Sequence, residues 1–225
     1  MKFPCISLCI TRHLGCLALA GTVFCQGLVV HAAESLLPNG GFEDEGGPDL
    51  PEGWTNLVDG RKNLPGMYVT GKPGSETHTG RHAVKLLVSS ESEATTADRR
   101  LRNTWVNEMP GGKGGGQAVE LEKGKTYRFS FWSKREDFDD PDHALVGECK
   151  GIPPGSRSEY TVLGRSEHLT GSSSWEKSEI IFEVPQDALG LGLQIVFRLF
   201  HKGPIPEGAK QPTVWIDDVE VVPVP

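Results

Sequence analysis

Apolar and polar residues alternate along several short stretches of this chain, and the alternation predicts β-strands. In residues 126–135 (TYRFSFWSKR), Tyr127, Phe129 and Phe131 occupy every second position. Residues 193–201 (LQIVFRLFH) repeat the pattern, again with apolar residues at every second position. Because a period of two puts successive side chains on opposite faces of a strand, one face of each is predicted to fill a core.

The rest of the chain predicts an all-β fold. No long run has apolar residues three and four apart, as an amphipathic helix requires. Gly (28 residues) and Pro (16 residues) are scattered along the chain, as short strands joined by turns require. Further strands are predicted at residues 82–89, 117–121, 144–149, 160–165, 176–184 and 213–222. About nine or ten strands without crossover helices predict an antiparallel β-sandwich of two sheets.

Four segments are predicted to be loops because of their composition. Residues 45–62 are rich in Gly, Pro and Asp, and residues 111–116 form a glycine tract. Residues 137–142 are an acidic corner, and residues 204–212 are rich in proline. Neither an internal repeat nor a second domain is visible.

The N-terminal segment has the features of a secretory signal peptide. Lys2 and Arg12 supply a basic start, residues 14–30 are mostly apolar, and residues 30–32 (VHA) offer small cleavage positions. We therefore predict a signal peptide over residues 1–33 and one domain over 34–225, secreted to the periplasm, the medium or the cell surface. An uncleaved membrane anchor is the alternative, disfavoured by Gln26 within the apolar run. No later stretch is long and apolar enough to span a membrane.

Removing the leader changes the cysteine count and the charge. Four of the five cysteines lie in the leader, so Cys149 alone remains and no internal disulfide is expected. The full chain carries a formal charge of −7, and removing two basic residues and no acidic ones leaves 21 − 30 = −9. So acidic a domain is a poor candidate for binding nucleic acid or anionic lipid, and it suits a monomer that meets neutral partners.

Carboxylates near both ends of the chain predict a metal site. Glu43 ends the first predicted strand, and Asp217 and Asp218 lie in the last one. If the terminal strands pair in one sheet, these side chains meet, and they repel one another unless a cation lies between them. The alternative is that Glu43 only caps a turn or pairs with a lysine.

An ordered set of short motifs carries a resemblance to a known family. The motifs are residues 39–43 (NGGFE), 51–54 (PEGW), 80–84 (GRHAV), 124–134 (GKTYRFSFWSK) and 216–219 (IDDV). Their order resembles carbohydrate-binding modules of the CenC type, which are β-jelly rolls of the galactose-binding-like superfamily. The resemblance implies a structural Ca²⁺ held by Glu43 and Asp217, with Asp218 as the alternate. Segments 90–116 and 137–157 depart from the family pattern and are predicted to be inserted loops.

Candidate ligand-binding residues follow from the strand faces. A sugar ring lies on an aromatic side chain while amides, carboxylates and guanidinium groups bind its hydroxyls. Trp132 and Arg128 lie on the face opposite the predicted core, and Gln194 and Arg198 are similarly placed on the other strong strand. These four are predicted to line a concave sheet face, with Trp105 in an inserted loop as a second aromatic platform. The alternative is that Trp132 packs beneath a loop and the arginines are ordinary solvated side chains.

The sequence therefore predicts a secreted, non-catalytic module that binds a polysaccharide or glycan. One alternative is a small jelly-roll hydrolase or lyase, which would need two close carboxylates; Glu108, Glu148 and Glu183 are candidates without a preference among them. Another alternative is a structural or adhesion module without a sugar ligand, in which loops cover the sheet face.

Overall fold

A computed structural model describes residues 34–47, 50–58, 61–62, 68–87, 99–103, 119–156, 159–200, 205 and 207–225. The predicted signal peptide lies outside these residues. Within the described ranges the chain forms strands and no helix. None of the described residues therefore belongs to a helix that could cross a bilayer.

Thirteen strands are present in the described ranges. They are β1 Glu45–Gly47, β2 Leu50–Pro51, β3 Trp54–Val58, β4 Arg61–Lys62, β5 Tyr68–Thr70, β6 His82–Leu87, β7 Arg99–Asn103, β8 Thr126–Glu136, β9 Ala144–Ile152, β10 Thr161–Arg165, β11 Ser173–Glu183, β12 Gly192–Phe200 and β13 Thr213–Pro223.

The strands form two main antiparallel sheets and one small hairpin. One sheet has six strands in the order β10-β9-β12-β7-β3-β4, and the other has five in the order β11-β8-β13-β6-β5. Strands β1 and β2 pair only with each other. This architecture confirms the predicted all-β, two-sheet antiparallel sandwich.

The core lies between the two sheets and is formed by the predicted apolar faces. Phe129 and Phe131 of β8 meet Phe197 of β12, with ring centroids 6.1 and 4.9 Å from that of Phe197. All three side chains are fully buried. Gly147 of β9 makes room for them, because a Cβ there would lie 2.6 Å from a ring carbon of Phe131. Rings from both sheets thus interdigitate in one core, as packing at interior density requires.

One predicted loop and one predicted insertion contain strands that were not predicted, which corrects the sequence-based boundaries. Residues 45–62 include β1 to β4, and segment 90–116 includes β7, which lies between β12 and β3 in the six-stranded sheet. Segment 137–157 includes β9, which lies between β10 and β12 and contains the strand predicted at residues 144–149. Strand β7 (RRLRN) has no apolar alternation, so its pairing partners rather than its own pattern decide its conformation. The predicted strand 117–121 is described only from residue 119, where Glu120 forms a single bridge with Gly192.

The N-terminal segment runs beside the C-terminal strand, as predicted, but it is not itself a strand. The Leu36 N–H donates to the Val221 carbonyl (2.7 Å), and the Val219 N–H donates to the Gly40 carbonyl (2.9 Å). Positive φ values at Asn39 (49°) and Phe42 (58°), on either side of the second contact, break the extended conformation. A side chain at residue 40 would overlap the Val219 carbonyl, so this close approach requires glycine.

Candidate functional site

A β-bulge in β13 directs two consecutive aspartates toward one loop. The pairing of β13 with β8 shifts register between Asp217 and Glu220, and Asp218 has a φ of 45°. Neighbouring residues of a regular strand point to opposite faces, whereas an extra residue in a bulge re-aims a side chain. Both carboxylates therefore reach the segment of residues 78–82, called here the 78–82 loop.

Asp217 is buried and anchors the first half of the 78–82 loop. Its Oδ2 accepts the N–H groups of His78 (2.8 Å) and Thr79 (3.2 Å), and its Oδ1 accepts the N–H of Asp218 (2.7 Å). Burial and the neighbouring Asp218 charge raise the pKa of Asp217 from 3.8 to about 7, although these hydrogen bonds act in the opposite direction. Ionisation of Asp217 therefore lowers the stability of the folded state.

Asp218 holds the side chains of the same two loop residues. Its Oδ2 lies 2.6 Å from His78 Nδ1, and the Thr79 hydroxyl donates to both of its oxygens at 2.7 and 2.9 Å. The His78 and Asp218 side chains are about a quarter exposed (22% and 25%). The bulge therefore fixes both the backbone and the side chains at this end of the loop.

Glu43 anchors the other half of the 78–82 loop. Its Oε1 accepts the N–H groups of Arg81 (2.8 Å) and His82 (2.9 Å), and its Oε2 lies 3.4 Å from His82 Nδ1. Burial raises the pKa of Glu43, but these hydrogen bonds outweigh burial and lower it overall. Glu43 and Asp217, predicted from opposite ends of the chain to meet, do lie at the same five-residue loop.

The predicted calcium ligands have acceptor capacity left, but hydrogen-bond donors surround them. An ionised carboxylate offers about four lone-pair sites, and Asp217 uses three of them for N–H groups. Oε2 of Glu43 has only the distant contact with His82. Among the described residues no group of three or more His, Cys, Asp and Glu side chains is arranged to hold a metal ion. A calcium ion here would therefore need backbone carbonyl oxygens as additional ligands, which calcium accepts.

Trp132 lies beneath the 78–82 loop and the residues that precede it. Its ring stacks on His78 with centroids 3.8 Å apart and an interplanar angle of 16°. The Trp175 ring lies 5.7 Å from His78 and its N–H donates to the Ser75 carbonyl. Trp132 does face away from the core as predicted, but the His78 ring occupies one face of the indole.

The four predicted residues of the concave face lie on two different sheets, which corrects the prediction that they share one face. Trp132 and Arg128 belong to β8 of the five-stranded sheet, whereas Gln194 and Arg198 belong to β12 of the six-stranded sheet. The sheets meet at the core, so their outer faces point in opposite directions. The alternation of each strand was interpreted correctly, but a strand pattern does not say which sheet the strand joins. Trp105 lies outside the described residues.

Sequence reasoning did not identify a cluster of charges on the outer face of the six-stranded sheet. Glu148 of β9 contacts three cations: Lys150 at 3.3 Å, Arg165 at 2.7 Å and Arg198 at 3.6 Å. The Glu148 side chain is 1% exposed, whereas that of Arg165 is 50% exposed and that of Arg198 is 22% exposed. We call these four residues the Glu148 cluster. The spacing of Glu148 and Lys150 on one strand was the only local signal, because the arginines come from β10 and β12.

An exposed aromatic side chain lies beside this cluster. Lys150 Nζ is 3.9 Å from the centroid of the Tyr160 ring, a cation–π distance. Tyr160 is 52% exposed, and among the Trp, Tyr and Phe side chains described in the structure it alone is exposed. Apolar ring surface and charged hydrogen-bond donors thus adjoin at this edge of the six-stranded sheet.

The two candidate catalytic carboxylates that the structure describes lie on different sheets. Glu148 is on β9 of the six-stranded sheet and Glu183 is on β11 of the five-stranded sheet. Glu108 lies outside the described residues. The ion pairs of Glu148 are with Lys150, Arg165 and Arg198.

Comparison with known proteins supports the fold. No protein-family model and no curated protein matches the chain. Among solved structures, it is similar to the carbohydrate-binding module TmCBM61 in complex with β-1,4-galactotriose (19% identity, 85% of this chain and 100% of that chain covered, TM-score 0.48). It is also similar to the CBM22-2 xylan-binding domain of Paenibacillus barcinonensis Xyn10C (21% identity, 77% and 92% covered, TM-score 0.42). A Stig cyclase, Fisc from Fischerella sp. TAU, matches as well (14% identity, 86% and 99% covered, TM-score 0.50).

The two-sheet antiparallel sandwich of the described residues is the architecture that the predicted resemblance to carbohydrate-binding modules implied, and solved modules of that kind are among the similar structures. At these identities the likeness does not extend to a ligand, and the cyclase shows that the same fold carries other chemistry.

Proposed function

We propose that this protein is a sugar-binding module whose ligand, a polysaccharide or glycan, binds the outer face of the six-stranded sheet near β9 and β10. The observation that carries the proposal is the exposed Tyr160 ring beside the Glu148 cluster. An aromatic ring packs against the C–H face of a pyranose, and adjacent charged groups bind its hydroxyls. Solved structures of the same fold include modules described as binding galactotriose and xylan, which makes polysaccharides the first ligands to test.

This face is preferred to the one that carries Trp132. The Trp132 ring is stacked on His78, and a sugar could reach that side of it only by displacing the 78–82 loop. Asp217, Asp218 and Glu43 anchor that loop at both ends, so displacement would break several hydrogen bonds. Tyr160 needs no such rearrangement. Of the residues predicted from the sequence, Gln194 and Arg198 remain part of the proposed site, since both lie on β12.

Affinity electrophoresis through gels that contain a galactan or a xylan tests the proposal. Tyr160→Ala is expected to lose most of its retardation, because the substitution removes the exposed ring on which the sugar would pack. Arg128→Gln, on the outer face of the five-stranded sheet, is the matched control and should keep it. Retardation that Trp132→Ala abolishes and Tyr160→Ala leaves unchanged would move the site to the other sheet. If none of the polysaccharides tested retards the protein, the proposed sugar-binding function is rejected.

A calcium ion at the bulge of β13 is a second part of the proposal. Glu43, Asp217 and carbonyl oxygens of the 78–82 loop would hold it, and the charge of Asp218, which raises the pKa of Asp217, supports it. The ion would supply positive charge between Glu43 of the N-terminal segment and Asp217 of β13, and would stabilise their contacts with the 78–82 loop. Differential scanning fluorimetry with a chelator should lower the melting temperature of the protein, and Glu43→Ala should remove that effect. A melting temperature that is the same with chelator and with calcium would reject the metal.

Secretion is proposed from the leader over residues 1–33. The basic start, apolar run and small-residue exit support it. N-terminal sequencing of protein recovered from the medium or periplasm should begin near residue 34. Recovery of the intact N-terminus from a membrane fraction would favour an anchor.

A structural role without a sugar ligand is a second candidate function. Every residue of β9 is buried, so the outer face of the six-stranded sheet is covered along this strand. Ala144 and Val146, which share the outward side with Glu148, are 5% and 1% exposed. Only the edge near β10 offers exposed groups to a ligand, and the electrophoresis experiment above decides between binding at that edge and no binding.

A further inference from the structure

We propose that the protein has a second ligand site, a cleft at one end of the five-stranded sheet that binds a neutral, hydroxyl-rich ligand, namely a sugar residue without charged groups. The cleft lies where β8 ends and β11 begins, and its lining includes residues 134–136, Asp137, residues 172–174 and Lys210. We call it the β8–β11 cleft. Tyr160 precedes β10 of the other sheet, so this inference does not depend on the site proposed there.

The β8–β11 cleft is large enough for a small ligand and is reached from solvent. Its volume is about 570 Å³, and small-molecule sites typically measure roughly 300–1,000 Å³. Glu136, Asp137 and Lys210 at its rim are exposed, whereas Arg135 is buried. A ligand can therefore enter the cleft without moving any strand.

A β-bulge in β11 forms one wall of the cleft. Ser173 lies opposite Arg135 and Glu176 lies opposite Ser133, so β11 has one residue more than β8 between these two pairs. An extra residue disrupts the ladder and re-aims side chains, and bulges are over-represented beside functional sites for that reason. Ser174, which lies within the bulge, is exposed, and its side chain makes no hydrogen bond with the described residues.

The buried Arg135 holds the walls of the cleft in place. Its guanidinium donates to the Gly171 carbonyl (2.9 Å), the Ser133 hydroxyl (3.0 Å) and Glu176 Oε2 (2.8 Å). These bonds join β8 to the chain on both sides of the bulge, since Gly171 precedes it and Glu176 follows it. A site that is held in shape before the ligand arrives loses less conformational entropy on binding.

The charges that line the cleft are balanced in pairs, which favours a neutral ligand. Lys134 Nζ lies 2.7 Å from Glu136 Oε1, and Lys210 Nζ lies 3.2 Å from Asp137 Oδ1. The guanidinium described above is paired with a carboxylate as well. A charged ligand group would be attracted by one member of each pair and repelled by the other. A hydroxyl group suits both members, because it donates to the carboxylate and accepts from the ammonium group.

Serine hydroxyls add further hydrogen-bonding groups to the cleft. Ser172 Oγ accepts the Phe138 N–H (2.9 Å), and its own O–H makes no hydrogen bond with the described residues. Ser173 Oγ is buried without a hydrogen-bond partner among the described residues, which is uncommon in folded proteins. None of the described residues that line the cleft is aromatic. The cleft is therefore suited to holding a sugar through its hydroxyl groups rather than through stacking on a ring.

Two-dimensional amide NMR spectra of the isotope-labelled protein, titrated with β-1,4-galactotriose and with xylotriose, test the inference. We expect at least one trisaccharide to shift the amide signals of residues 172–174, Asp137 and Lys210, while the signal of Tyr160 reports on the other site separately. Methyl galactoside and methyl galacturonide form a matched pair that differs in one carboxylate. The neutral galactoside should shift the signals of the cleft more than the galacturonide at equal concentration, and a larger effect of the galacturonide would overturn the assignment to a neutral ligand.

Two substitutions of exposed residues test which groups bind the ligand. Lys210→Met is expected to weaken trisaccharide binding at the cleft ~10-fold, because it removes a hydrogen bond to a charged group. Ser174→Val removes a neutral hydroxyl and should weaken binding by a smaller factor. Lys123→Met is the matched control, because Lys123 is an exposed lysine in the turn that precedes the opposite end of β8. Melting temperatures equal to that of the wild-type protein verify that each variant is folded.

The outcomes separate this inference from the proposed function. Shifts confined to the surroundings of Tyr160 overturn the cleft and leave the proposed function intact. Shifts at the cleft alone, weakened by Lys210→Met and Ser174→Val, uphold the cleft and remove the Tyr160 site. Shifts at neither place overturn the cleft and count against sugar binding as a whole. Shifts at the cleft that neither substitution weakens also overturn the assignment.

Discussion

The buried Asp217 predicts a stability that falls as the pH rises. In the unfolded chain an aspartate has an ordinary pKa of 3.8, whereas burial and Asp218 raise the pKa of Asp217 to about 7 in the fold. Because the folded state retains this proton between those values, the contribution is fully present below the ordinary pKa and is lost as the pH rises through about 7. At 1.36 kcal/mol per pKa unit, the full contribution is about 4 kcal/mol.

Urea denaturation of the protein and of Asp217→Asn, measured in a chelator from pH 4.5 to pH 8, isolates this contribution. Other groups titrate in both proteins and cancel in the difference. The free energy of unfolding of the wild-type protein should fall by about 3–4 kcal/mol relative to that of the variant over this range. The variant is the suitable reference because it keeps the shape of the side chain and removes its titration, although its amide group leaves one backbone N–H without an acceptor.

Calcium provides a second arm of the same experiment. A bound cation favours the ionised carboxylate, so saturating calcium should flatten the difference between the wild-type protein and Asp217→Asn. A difference that is already independent of pH in the chelator would refute the assignment of a raised pKa to Asp217. A slope that calcium leaves unchanged would uphold the raised pKa and would count against calcium at this position.

Three further perturbations test the packing and the charge network. Gly40→Ala should lower the free energy of unfolding in urea by about 1–3 kcal/mol through overlap with the C-terminal strand, whereas Gly41→Ala, whose Cβ would meet no heavy atom closer than 3.6 Å, should be nearly neutral; equal effects would contradict the close approach. Phe197→Ala should cost about 3–5 kcal/mol in the same assay because it opens a cavity between the sheets, and a loss below about 1 kcal/mol would place the core elsewhere. Glu148→Gln should destabilise the protein by about 3 kcal/mol by leaving three cations without their carboxylate, while Glu179→Gln, on an exposed pair, should change the melting temperature little.

The strands that the sequence predicted are those whose own alternation reports burial. Strands β8 and β12 place aromatic and aliphatic residues at every second position, and both are confirmed. Strand β8 ends one residue later than predicted, and β12 begins and ends one residue earlier. Strand β7 escaped prediction because three of its five residues are arginines and its conformation depends on pairing with β12 and β3. Local pattern is a weak guide where neighbouring strands rather than burial of a face supply the stabilisation.

The candidate sites also differ in whether the sequence predicted them. Glu43 and Asp217 were predicted to meet because short motifs at the two ends carried them, and both are found at the 78–82 loop. The Glu148 cluster joins β9, β10 and β12, and no spacing along the chain relates Arg165 and Arg198 to Glu148. Charged groups that come together from three strands do so through pairing of distant segments, so no periodic pattern in the sequence indicates them.

Period-two alternation was sufficient to establish which side of each strong strand is apolar, since burial of that side is a requirement each strand meets separately. The assignment of a strand to one sheet or the other depends on hydrogen bonds with distant partners, so the separation of Trp132 from Arg198 became visible only in three dimensions. The same holds for exposure: the cover over Trp132 and the accessibility of Tyr160 depend on loops that fold back from elsewhere in the chain. Long-range packing, which no local pattern encodes, therefore selects the surface that is available to a ligand.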